Sequence, residues 1–215
     1  YGDGGSDELY GEAGEDHLIA GLAAAVGSTY LGDPDTTHLL DGGADKDWIY
    51  GDLGVDTVHA GEGDNFVKTF AGDDTIDAGS GNDEIWSGDG DDIIHAGEGN
   101  NHIYGGSGSE VVTAGGGNDI VDLRGAAGEP ASTHDVTIAG GDNQVWTDDG
   151  QDMITTGAGK DTIHAGDGLN TIHSGAGDDT IYAGDGEHYV YASASGAYDA
   201  DTVTLGNGPG VIETG

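Results

Sequence analysis

The chain concentrates its chemistry in carboxylates set at a fixed interval. In the stretch AGSGNDEIWSGDGDDIIHAG, residues 78–97, a glycine-rich run closes on an acidic side chain, one aliphatic residue follows two positions later, and the figure repeats after nine residues. Over 215 residues there are 42 Asp and Glu against 4 Lys and Arg, a net charge of -38. Acid–base catalysis needs carboxylates in contrasting environments of a cleft; here one group is repeated identically with no element to form a cleft beside it. Neither H-E-x-x-H nor G-x-S-x-G occurs, so the chain carries no zinc-protease or serine-hydrolase signature, and an enzyme is not expected. Nucleic acids and anionic membranes require a basic surface, which is missing. The charge calls for a cation.

Alignment on glycine and aspartate gives nine unbroken blocks of nine from Gly42 to Asp122. Two blocks precede them (GDGGSDELY, GEAGEDHLI) and five follow from Thr147 to Tyr191, led in by a shortened AGGDNQVW. A fixed period of this kind fixes a stacked architecture, with insertions mapping to surface loops. The reading is one domain over residues 1–215, with insertions at about 20–41, 123–138 and 192–200, belonging to a longer polypeptide. Within a block, six residues with glycines form a turn, and three form a short strand whose middle residue points inward. Those middle residues are Ile49, Val58, Val67, Ile76, Ile85, Ile94, Ile103, Val112, Val121, Ile154, Ile163, Ile172, Ile181 and Val190. A linker would not keep them in phase.

The pattern G-G-x-G-x-D-x-U-x, with U aliphatic, resembles the nonapeptide of the repeats-in-toxin (RTX), haemolysin-type family. The resemblance implies an all-β fold: a parallel β-roll, a right-handed solenoid with two nonapeptides per turn and Ca²⁺ in the loops. It also implies that loop carbonyls and the sixth residue of each block are the ligands. Carried over, these are Asp7, Asp16, Asp47, Asp56, Asp74, Asp83, Asp92, Asp119, Asp152, Asp161, Asp179 and Asp201. Asn65, Asn101, Asn143 and Asn170 keep an oxygen without the charge, Glu110 lengthens the arm, and His188 is a poor Ca²⁺ ligand. Oxygen donors in flexible loops suit Ca²⁺ better than Mg²⁺, which prefers to keep its waters. One aliphatic residue in nine is too little to offset the entropy of ordering the chain, so ion binding and folding are expected to be one reaction.

If successive blocks alternate between two faces, stacking partners lie eighteen residues apart. His59, His95, His164 and His173 have no histidine at that distance, so no transition-metal site is expected. The same alternation gathers Trp48, Tyr50, Phe66, Trp86 and Tyr104 on one face, where flat rings suit a polysaccharide or a cell-surface partner. Two functions follow. The first, implied by the resemblance, is a structural module that folds on Ca²⁺ after type I secretion, outside the cell or on the bacterial cell surface. The second is a carbohydrate- or partner-binding module of an adhesin or polysaccharide-modifying enzyme, using the aromatic face. No apolar run reaches the length of a membrane span.

Overall fold

The computed structural model describes residues 1–2, 5–20, 34–125, 131–192 and 199–214. Its strands alternate between an eleven-stranded sheet, from Glu8–Tyr10 to Gly210–Glu213, and a ten-stranded sheet, from His17–Ile19 to Thr202–Leu205. Every pairing is parallel, and the register is eighteen residues through the regular blocks: Val58 faces Ile76, and Ile85 faces Ile103. The fold is the parallel β-roll that the resemblance implies, in the stack that the period predicts. A glycine-rich turn must reverse the chain within six residues, which explains φ of +89° at Gly79 and +141° at Gly81.

The expected inward residues line the space between the sheets, and each from Ile49 to Val190 is fully buried. The core differs from expectation in one respect. Many strands run five or six residues, and the first residue of the following block also turns inward. Ala60, Thr69, Ala78, Ser87 and Ala96 are all buried in this way. A strand places residues i and i+2 on one face; the strands Phe66–Ala71, Glu84–Asp89 and Ile93–Gly97 run on through Thr69, Ser87 and Ala96, while Ala60 and Ala78 come directly after strands that end at His59 and Asp77. Only small side chains fill it between Ala60 and Ala96, because the chain is already bending into the turn there.

Two strands begin inside the stretches expected to be insertions. Thr37–Asp41 pairs with Val55–His59, and Asp135–Gly140 pairs with Val111–Gly116, placing Leu40 and Val136 in the core. The stack continues across all three interruptions, the register lengthening to 31, 24 and 22 residues. Within the expected insertions, residues 21–33, 126–130 and 193–198 lie outside the described residues.

Candidate metal centres in the turn rows

The sixth residue of each block stands where strand begins and turn ends, so stacking gathers these residues into two rows, one per sheet edge. In the ten-stranded sheet the row reads Asp16, Asp47, Asn65, Asp83, Asn101, Asp119, Asn143, Asp161, Asp179, Asp201. Each backbone N–H donates to a side-chain oxygen of the next member: Asp16 to Asp47, Asp47 to Asn65, and onward to Asp201, all at 2.8–3.0 Å. A carboxylate has two oxygens, and the ladder uses one. The other is buried without a hydrogen-bond partner in Asp47, Asp83, Asp119, Asp161 and Asp179, and Asp16 at the head of the row also has one such oxygen.

The second row, in the eleven-stranded sheet, reads Asp7, His38, Asp56, Asp74, Asp92, Glu110, His134, Asp152, Asn170, His188. The same ladder links Asp56 to Asp74, Asp74 to Asp92, His134 to Asp152 and Asp152 to Asn170. Unpartnered buried oxygens recur at Asp7, Asp56, Asp74, Asp92 and Glu110. Asp152 departs from the set, since its second oxygen accepts the Thr147 hydroxyl at 2.7 Å.

A buried polar atom left unpaired costs free energy, and one repeated turn after turn marks the place of a missing partner. The electrostatics agree. Burial pushes the pKa of Asp56 up to about 8, of Asp83 and Asp92 to about 7, and of Asp74 and Asp179 to about 6. Burial likewise raises Asp47, Glu110, Asp119, Asp152 and Asp161. Free anionic oxygens in a dry row are the hard donor set that Ca²⁺ takes, and an ion there would supply the charge that desolvation otherwise penalises.

The amides behave differently from the carboxylates. The single oxygen of Asn65, Asn101, Asn143 and Asn170 is already on the ladder. In three of them the nitrogen faces inward to the turn: in Asn143 it donates to the Gly141 carbonyl at 2.9 Å, in Asn170 to the Gly166 carbonyl at 3.1 Å and in Asn101 to the Gly97 and Gly99 carbonyls at 3.4 Å, while the Asn65 nitrogen is buried without a partner. Donors placed on the turn's carbonyls occupy the surroundings a cation would need. From Asp47 to Asp161 the row alternates strictly between acid and amide, so like charges stand two turns apart.

Histidine is the residue that the sequence reading placed least well. His38 and His134 hold sixth positions, in blocks (residues 33–41 and 129–137) that contain no glycine and were therefore assigned to insertions. Both are buried, as is His188, whose Nε2 lies 3.0 Å from the Gly184 carbonyl. His134 Nδ1 stands 2.6 Å from Glu110 Oε2, and its Nε2 3.2 Å from Asp148. Burial alone would lower the pKa of His134, but Glu110, Asp152 and Asp148 hold it above the ordinary value.

The five aromatics do share one sheet. Trp48 is in register with Phe66, and Trp86 with Tyr104. Trp86 and Tyr104 stack at 4.1 Å between ring centroids, Trp48 stacks on His17 at 4.6 Å, and Tyr50 tilts against Phe66 at 5.6 Å. The column resumes with Trp146, His164 and Tyr182. Rings stacked along the roll spend their faces on one another and turn their edges outward, and Lys68 lies over Trp86.

The model of the RTX calcium-binding nonapeptide repeat matches residues 1–23, 39–67, 50–85, 68–102, 86–121, 139–163 and 155–187. These segments cover well over half of the chain, which belongs to that family. No curated protein and no solved structure matches it.

Proposed function

We propose that the chain is a calcium-folded structural module of a secreted or cell-surface bacterial protein, with no catalytic role of its own, ordered by Ca²⁺ after export. The observation that carries the reading is the file of buried carboxylate oxygens without partners, eleven acidic residues at the same place in successive turns. Asp7, Asp16, Asp47, Asp56, Asp74, Asp83, Asp92, Glu110, Asp119, Asp161 and Asp179 would hold the ions, together with turn carbonyls. Asp201 closes one row through its ladder oxygen. Asp152 and the four amides serve the ladder and need no ion. Bound Ca²⁺ supplies positive charge; the chain's residues supply the stacked turns, the dry walls and the aliphatic file that keep the carboxylates in line. The stacked aromatics fit the same structural role, because rings that cover one another offer no flat platform to a sugar.

Circular dichroism during calcium titration tests this. A cooperative change from coil to β signal, reversed by chelator, is expected. A full β signal in excess chelator at pH 8 would overturn it.

A further inference from the structure

The outer face of the eleven-stranded sheet carries a column whose chemistry the calcium rows do not use. The residue after each inward aliphatic one points outward there, and stacking sets these residues one above another: Asp41, His59, Asp77, His95, Thr113, Thr137 and Thr155. Carboxylate and imidazole alternate over four turns before the column becomes threonine. His59, Asp77 and His95 are exposed, and Asp41 is half-buried. The other outward histidines are already in use. His17 stacks on Trp48, His164 on Tyr182 and His173 on Tyr191. His102 is in register with Glu84, whose carboxylate accepts the Trp86 indole N–H at 2.9 Å. By contrast, the side chains of His59 and Asp77 have no hydrogen bond, ion pair or ring contact among the described residues. His95 uses one ring nitrogen, Nδ1, which lies 2.7 Å from the Thr113 hydroxyl. A hydroxyl accepts as well as donates, so Nδ1–H donates to it in the tautomer that leaves the Nε2 lone pair over.

We propose that His59, Asp77 and His95 bind one divalent transition ion of the Zn²⁺ class on the outer face of the roll, apart from the calcium rows. Neighbouring strands are about 4.8 Å apart, so His59 and His95, two turns from each other, stand about 9.6 Å apart with Asp77 midway. An ion held over Asp77 is within reach of an imidazole from either side. Two imidazole nitrogens with one carboxylate are a borderline donor set, unlike the all-oxygen turns, and imidazole favours Zn²⁺ over Ca²⁺. Three protein ligands leave a fourth tetrahedral position for water. The three side chains have to turn toward one another to close on the ion, which exposed side chains on a fixed sheet do without moving the backbone. The hydrogen bond to Thr113 steadies the His95 ring from behind. A search for histidine eighteen residues from histidine passes over this set, because Asp77 stands at eighteen from His59 and the second histidine at thirty-six.

The inference rests on the calcium reading only in that the roll must be folded, so the test uses calcium-loaded protein with circular dichroism recorded alongside. Titration with ZnCl₂ in excess Ca²⁺, followed by calorimetry, should show one equivalent; Co²⁺ in its place should give the visible bands of a tetrahedral site. His59→Gln, Asp77→Ala and His95→Gln each remove a donor that lies outside the core, so each should weaken zinc binding, and the double variant His59→Gln with His95→Gln should abolish it, all with the calcium midpoint of folding unchanged. His102→Gln and His173→Gln, at outward histidines already in use, should leave the zinc equivalent in place. Folded, calcium-loaded parent that binds no zinc overturns the proposal, as does undiminished binding by the double variant. Failure of the parent to fold on calcium would instead count against the preceding section.

Discussion

Asp92→Asn should stabilise the roll without calcium and weaken it with calcium. Asp92 is buried in the middle of four consecutive acids, Asp56, Asp74, Asp92 and Glu110. Burial pushes its pKa from 3.8 to about 7, the neighbouring charges of Asp74 and Glu110 add to the rise, and the Asp74 N–H opposes it. The folded form thus holds this proton more tightly than the unfolded chain does. The resulting penalty is absent below about pH 4, grows as pH rises toward 7 and is complete above it, where it reaches about 4 kcal/mol. That is a large part of the ~5–15 kcal/mol by which a folded domain exceeds its unfolded chain. Asp56, Asp74, Asp83 and Asp179 shift in the same direction.

An asparagine at position 92 is neutral at every pH and can still accept the Asp74 N–H, as Asn65 and Asn101 accept theirs. In chelator, the β signal of the parent should appear on acidification and fade as pH is raised from 5 to 8; in the variant the midpoint of that loss should move to higher pH. In calcium the order reverses, and the half-saturating concentration should rise in the variant, because a charged donor has been replaced by an amide. For the parent, half-saturation should also rise as pH falls, since protons and Ca²⁺ compete for the same oxygens. A variant with an unchanged midpoint in chelator, or a parent that loses β signal on mild acidification, would refute the claim that buried ionisation is what calcium relieves.

Asn101→Asp should create a spare carboxylate oxygen of the kind seen at Asp83 and Asp119, adding about one ion in equilibrium dialysis; an unchanged count would show that amide turns already bind. Gly97→Ala should raise the calcium midpoint of folding sharply: φ there is +77°, and an added Cβ would press into the Gly79 carbonyl one turn below. Tolerance of that change would mean the turns do not stack as closely as described. Ile103→Ala removes a fully buried side chain and should cost about 2–5 kcal/mol in urea unfolding of the calcium form, whereas Ile93→Ala, 42% exposed on the same stack, should cost far less.

The period made the stack and its inward file legible, because a nine-residue spacing leaves little freedom in what stacks on what, and the resemblance supplied the β-roll and most of the sixth-position residues. What it could not supply was the use of each atom. Asp83 and Asn101 look like interchangeable oxygen donors in sequence; only the ladder reveals that one oxygen is already spent, so that the carboxylate keeps a donor for an ion and the amide presents N–H₂ instead. The aromatics show the same limit, since Trp86 and Tyr104 at eighteen residues' spacing predict adjacency but not that each covers the other's face.

The histidines escaped because the search relied on glycine and on like pairing with like. PDTTH at 34–38 and PASTH at 130–134 share Pro, a small hydroxyl residue, Thr and His, and each is followed fourteen residues later by an aspartate, Asp52 and Asp148. That doubled signature was available without coordinates. Its partners are carboxylates from the second position of the next block but one, the next on the same face, which a test for histidine at eighteen residues cannot find. The two rows then manage the same repulsion by different means. One interleaves acids with amides from Asp47 to Asp161, keeping like charges two turns apart. The other leaves Asp56, Asp74, Asp92 and Glu110 contiguous and brackets them with His38 and His134. A run of four acids with donors to spare needs an external cation more than an interleaved row does. The eleven-stranded edge should therefore be the last to order as calcium is added and the first to loosen in chelator, which amide hydrogen exchange at Val58, Ile76 and Ile94 against Val67, Ile85 and Ile103 would register.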